Sequence, residues 1–416
     1  MWRLACALAL AVGLGTATAG CTGPAPAGGS DGDIVVATGQ EITGQWQRII
    51  DEGWNRSHRR KVRLVELSDN ADAQRTSMVK VLNAHSSAYD VLSMDVINTA
   101  EFAAKGWIIP LPAGEFDLPD RLPATVASAT WRGTLYGAPW VSDGGMLYYR
   151  SDLVAKPPAN WAELVQDCQN IARPRGMGCY AGQYAPYEGL TVNVDEAVRA
   201  AGGQILSDDG ATVTVDSPAA RAGLQFLVDG FRQGYVPHDA LTYKEEESRV
   251  AFEQGQLLFL RNWPYIYGLA NQIGPDSKVA GRFDVAPLPA GPSGHGVSSL
   301  GGHNLAVSAY STKKSDAIDF VRWMTGMAPE KLVAQRMAYA PTFASLYDDP
   351  ELRRQLPYLG VLKQSVEGAA PRPRTPEYPA VTLIIQREAT QALLGNKSVD
   401  GAVADMAAEL SEKIRQ

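Results

Sequence analysis

Short apolar runs alternate along the chain with longer stretches whose apolar positions recur at helical spacing. Residues 33–37 read as a first strand. Residues 41–55 read as a helix, with Trp46, Ile49, Ile50 and Trp54 on one face. Residues 61–67 alternate as a strand, 73–84 are helical with Met78, Val81 and Leu82 together, and 89–94 form a strand of the buried type. This β-α-β-α-β order predicts a parallel sheet with right-handed crossovers. The later chain continues in the same style, with helices over 162–172, 190–201, 217–233 and 246–254 and a strand over 256–260.

Three segments break the pattern with glycine or proline inside apolar runs: 135–147, 283–291 and 337–343. Three such crossings predict two α/β lobes joined by a multi-strand hinge. The expected division is 33–138 with 285–338 in one lobe, and 139–284 with 339–416 in the other. A ligand would bind between the lobes, outside the carboxyl ends of the strands.

The first residues follow a different logic. Arg3 precedes an apolar run over 4–14, too short for a permanent span, and small residues over 16–20 lead to Cys21. This reads as a signal peptide over 1–20 cut before an acylated Cys21. An ordinary export signal with an incidental cysteine is the plainer alternative. Residues 21–32, rich in Gly, Pro and Ala, form a tether that cannot bury a core. Export places the chain on the outer face of the membrane, where thiols oxidise. Two of the four cysteines remain, Cys168 and Cys179, and a disulfide between them is expected. Two free buried thiols are the alternative.

Composition is that of an ordinary globule, with 45% apolar and 20% charged residues. The net charge is −7 and no basic patch stands out, so no nucleic-acid partner is expected. The sequence holds no GxSxG elbow, Walker loop or HExxH motif. The five histidines are scattered singly. Neither a metal nor a cofactor is expected. Asp69, Asp72 and Glu245 to Glu247 read as solvated charge at helix starts. Glu41, Asp95, Asp143, Trp140, Asn262, Trp263, Arg372 and Tyr378 lie beside strand ends and have the character of a sugar site. Aromatic rings can floor a sugar's C–H face, and charged groups bind its hydroxyls strongly. A buried tryptophan is nevertheless more often core.

At these positions the chain resembles the trehalose/maltose-binding branch of the family 1 extracellular solute-binding proteins of ABC importers. The resemblance runs from about Ile34 to the C-terminus. It rests on Gln40-Glu41-Ile42, Gln74-Arg75, Met94-Asp95-Val96, Asp143-Gly144-Gly145, Tyr187-Glu188-Gly189, Asn262-Trp263-Pro264, Leu300-Gly301-Gly302, Arg372-Pro373 and Tyr378-Pro379. It implies a two-lobe periplasmic-binding-protein type II fold and capture of an α-linked disaccharide. The partners implied are the transmembrane subunits of an ABC permease, with the lipid as the sole membrane contact and the protein a monomer. By the same resemblance Glu41 and Asp95 accept sugar hydroxyls, Arg75 donates, and Asp143 binds from the crossing. Trp263 stacks on a glucosyl ring, Gly301 and Gly302 admit the sugar to the backbone, and Arg372 and Tyr378 close over it. Two positions depart from the family. His303 stands where tryptophan is common, and Val141 where an aromatic is common, so the particular sugar is left open. A secreted glycoside hydrolase with a carboxylate pair, such as Glu41 with Asp95 or Asp143, is the alternative from another class.

Overall fold

The computed structural model describes residues 32–207 and 209–414. The expected signal peptide, Cys21 and most of the tether lie outside these residues.

Two sheets organise the chain. The first is built from β1 (Ile34–Thr38), β2 (Val62–Glu66), β3 (Val91–Asp95), β6 (Ala138–Gly144) and β11 (Leu300–Val307), in the order β2-β1-β3-β11-β6. The first three are parallel, as the alternating pattern requires, and β11 lies antiparallel between β3 and β6. A short hairpin, β4 (Thr130–Trp131) and β5 (Thr134–Leu135), precedes β6. The second sheet holds β7 (Met146–Tyr149), β8 (Gly178–Ala181), β9 (Leu257–Asn262) and β10 (Asp284–Ala286), in the order β10-β7-β9-β8.

Period-two alternation distributes the first sheet's side chains to two faces. Ile34, Val36, Val91, Leu305 and Val307 pack with Trp46, Ile50 and Phe320 on one side. Ala37, Leu92, Met94 and Ala306 pack with Met78, Phe102 and Trp107 on the other. The second sheet is buried in a larger core that includes Phe252, Phe259, Tyr347 and Ile385. Cys168 and Cys179 form the expected disulfide within it.

Strand membership moves two of the expected boundaries. Residues 139–144 belong to β6 in the first sheet, and β10 pairs with β7 in the second. The chain therefore changes sheet at Gly144-Gly145. A Cβ at Gly144 would lie 2.5 Å from Ser365 Oγ, and one at Gly145 would lie 2.6 Å from Arg261 Nη2. The second change comes just before Leu300, where Ser299 pairs with Ala370. The third falls in the expected segment, where Ala340 pairs with Ser142. Periodicity reports that a segment is a strand but not which sheet accepts it.

One helix also starts late. It spans Gln45–Glu52 because Gly44 turns left-handed and the Glu41 carboxylate takes the backbone N–H of Thr43 at 2.6 Å and of Trp46 at 3.2 Å. Such local side-chain bonds compete with helical pairing.

The hinge is tied by Arg121. Its guanidinium donates to Glu330 at 2.6 Å, to the carbonyl of Pro139 at 3.0 Å, and to Thr342 and the carbonyl of Thr325. Both charged side chains are almost fully buried, and the Phe343 ring lies over the guanidinium at 4.1 Å. Burial pushes the Glu330 carboxyl up to about 7 against the pull of Arg121. Removing one partner leaves the other as an unpaired buried charge. Arg121→Met is therefore expected to cost about 3 to 5 kcal/mol in urea unfolding. The double variant with Glu330→Leu should recover most of that loss. A single-variant loss under about 1 kcal/mol would contradict the assignment.

Candidate functional site

Between the sheets lies a cavity of about 230 Å³. The first lobe contributes the loop after β1 (Gly39, Gln40, Glu41), Asp95 at the end of β3, and Gly301, Gly302 and His303 on β11. Asp143 reaches it from β6, beside the crossing into the second lobe. The second lobe contributes Tyr187 and Glu188 at a helix start, the first turn of the helix Glu245–Glu253, Trp263, and Arg372. A wider depression of about 700 Å³, lined by Leu118, Trp131 and Arg374 among others, holds none of the predicted site residues. The smaller cavity has the convergent aromatic and polar groups of a ligand site.

Trp263 sits where β9 stops. Pro264 cannot continue a sheet ladder, so the chain turns out after Asn262. The half-buried indole lies over the Arg261 guanidinium at 3.9 Å, and Arg261 is in turn paired with Glu196 at 2.5 Å. Gly301 is needed beside it. A Cβ there would meet Asp143 Cβ and the Trp263 ring, both at 3.0 Å. Gly302 has φ 107°, and a Cβ would fall 2.2 Å from the Val141 carbonyl oxygen. Only glycine keeps this wall flat against both neighbours.

Arg372 joins the two lobes. It is buried, donating to Asp95 of the first lobe at 2.8 Å and to Glu188 of the second at 2.6 Å. Glu188 also accepts from Tyr378 and Thr382. Burial pushes Glu188 up to about 7, with Arg372 pulling it down and Asp95 raising it. Asp143 is also pushed up to about 7, first by burial and then by the negative Asp95. Burial holds the His303 imidazole below its ordinary value, with Asp95 opposing.

Eight of the ten predicted binding residues thus meet in one cavity: Glu41, Asp95, Asp143, Trp263, Gly301, Gly302, His303 and Arg372. Two do not line it. Arg75 is drawn into a double hydrogen bond with the buried Glu101, at 2.8 and 2.6 Å, while its neighbour Gln74 faces the cavity. Tyr378 stands behind the wall and fixes Glu188. The structure adds Trp46 and Tyr339, which the sequence reading did not place at the site, beside Trp140, which it did. Trp46 and Trp140 stack with centroids 3.9 Å apart and form an aromatic wall with Tyr339. Asp69 and Glu245 to Glu247 are not simply solvated, because all four line the cavity. Glu245 accepts from Tyr187 and Glu246 from Tyr265, each at 2.6 Å. An acidic helix start gives no sign in sequence of what faces it. Among the described residues, no group of three or more His, Cys, Asp or Glu is placed to hold a metal ion.

Residues 38–331 match the family described as bacterial extracellular solute-binding protein. A probable ABC transporter-binding protein of Deinococcus radiodurans is 34% identical over 335 residues, 78% of this chain and 79% of that one. A mannitol-binding protein of Pseudomonas aeruginosa is 26% identical, covering 82% of this chain and 83% of its own. The solved structure of maltose-bound T. maritima MalE3 superposes with a TM-score of 0.86 at 32% identity, over 91% of this chain and 99% of that one. The chain belongs to the bacterial extracellular solute-binding protein family and has the two-lobe periplasmic-binding-protein type II fold.

The raised Asp143 carboxyl has a consequence for stability. A carboxyl whose folded value lies above its unfolded value of about 4 gives stability that is fully present below that value. That stability is lost as pH rises toward 7. Asp143→Asn has no such loss. Its apo melting temperature, relative to the native protein, should therefore rise between pH 5 and pH 8. An unchanged difference across that range would contradict the raised carboxyl of Asp143.

Proposed function

We propose that this family member captures an α-linked disaccharide of the trehalose or maltose type outside the cytoplasm and delivers it to an ABC permease by closing its lobes. The observation that carries the reading is the convergence of Trp263, Asp143 and the flat Gly301-Gly302 wall with the Arg372 bridge in one interlobe cavity. An aromatic floor with carboxylate edges suits a ring that has C–H faces and equatorial hydroxyls. The cavity of about 230 Å³ lies below the ~300 to 1,000 Å³ common for small-molecule sites, which favours one or two rings over a long oligosaccharide. The T. maritima protein holds maltose, and the P. aeruginosa relative is named for mannitol. No bond is broken in this reading. The ligand contacts both lobes, so it stabilises the closed form over the open one. The Cys21 lipid would keep the protein at the outer face of the cell membrane, beside its permease.

A thermal-shift panel of trehalose, maltose, longer α-glucosides and polyols tests the reading. A true ligand raises the melting temperature because it binds only the folded state. No monosaccharide should appear on prolonged incubation with either disaccharide. Release of glucose would favour the hydrolase alternative. Trp263→Ala should weaken binding of the panel's best sugar by about 30-fold or more while leaving apo stability nearly unchanged. An apo melting temperature lower by about 10 °C with unchanged affinity would make Trp263 a core residue. Cys21→Ser should move the protein from the membrane fraction to the soluble one. Unchanged membrane association would refute the lipid anchor.

A further inference from the structure

The charge on the cavity wall is uneven. Eight carboxylates line it against two side-chain cations, Lys244 and Arg372. A neutral sugar does not by itself call for that excess, but the excess alone proves little, because most of these carboxylates already have donors within the protein. Glu41 takes backbone N–H groups, and Asp95 and Glu188 take Arg372. Glu245 and Glu246 take tyrosine hydroxyls, Asp69 takes Ser68, and Glu247 takes the N–H of Lys244.

Asp143 is different. Among the described residues no donor reaches its carboxylate, although the carboxylate lies in the interlobe cavity and Arg261 beneath Trp263 is already committed to Glu196. An unpaired carboxylate in such a place is costly unless something supplies the missing charge. Asp143 also shares the Gly301 wall with Trp263, so a ring lying on the indole would hold one of its substituents against the carboxylate. A hydroxyl there would give a hydrogen bond alone. An ammonium would give charge-assisted bonds and Coulomb attraction in a half-buried site. The surrounding excess of negative charge would add to the attraction for a cation and repel sugar phosphates and uronic acids.

We propose that the ligand is an amino sugar, a small glycoside whose protonated amine sits against Asp143 while its ring stacks on Trp263. The proposal rests on the sugar-binding reading above and narrows its ligand class. His303 faces the same space without competing as a cation, because burial favours its neutral ring.

The test is calorimetric titration at pH 7 with matched pairs: glucose, trehalose and maltose, each against its 2-amino and 6-amino derivatives. The expected result is at least one amino derivative binding tenfold or more tightly than its parent. In Asp143→Asn the same pair should bind with a ratio near one. The comparison is made within each variant, so a general loss of affinity does not confuse it. Neutral parents binding as well as or better than every amino derivative would overturn the amino-sugar inference and leave the sugar reading standing. A preference that persists in Asp143→Asn would overturn the role of Asp143. No binding by any member of the panel would overturn both this inference and the sugar reading beneath it.

Discussion

Arg372 is the interaction on which the site depends. Its guanidinium spans the lobes, with Asp95 at the end of β3 on one side and Glu188 at a helix start on the other. Taking Arg372 and Glu188 out of water costs several kcal/mol per ion before the mutual attraction is counted, while Asp95 keeps partial exposure. The arrangement persists because each carboxylate accepts further hydrogen bonds. Glu188 also receives Tyr378 and Thr382, and Asp95 receives the N–H of Ile97. The bridge ties groups of both lobes that line the pocket, so the proposed closing would depend on it.

The hinge makes that closure a defined motion. The three chain crossings pair with one another, Ser142 with Ala340 and Gly144 with Leu300, and the buried Arg121–Glu330 pair pins the crossing at 339–343 to β6. Gly144 and Gly145 sit at the change of sheet with no room for a side chain. In the proposed closing, a rotation about this waist would hold Asp95 and His303 against Glu188 and the helix Glu245–Glu253 while leaving either core intact. A small solute held between them would take part in both halves of the contact, which is how a binding protein converts occupancy into shape.

Much of this was legible in the residues, and the failures are instructive. Strands and helices followed from apolar spacing, because each buries one face within its own lobe. Trp263 was placeable because Pro264 ends a strand by its own chemistry. Cys168 and Cys179 were placeable because so few cysteines remained. What sequence reading missed depends on contacts between distant segments. Arg75 is taken up by Glu101, 26 residues away, and β6 and β10 join sheets that no local pattern names. Glu245 to Glu247 were read as solvated because acidic residues at a helix start need no further explanation, whereas only the other lobe's approach makes them part of a cavity. Trp46 had a sufficient role as a helix core residue, and its stacking on Trp140 appears only when the first helix meets β6.

The central claim is that a sugar held between the lobes stabilises their closed arrangement. Small-angle X-ray scattering of the soluble protein, with and without a saturating sugar, measures this directly. The account predicts a smaller radius of gyration with the sugar, and a weaker contraction for Arg372→Met at equal occupancy. An identical radius with and without a sugar that demonstrably binds would contradict it.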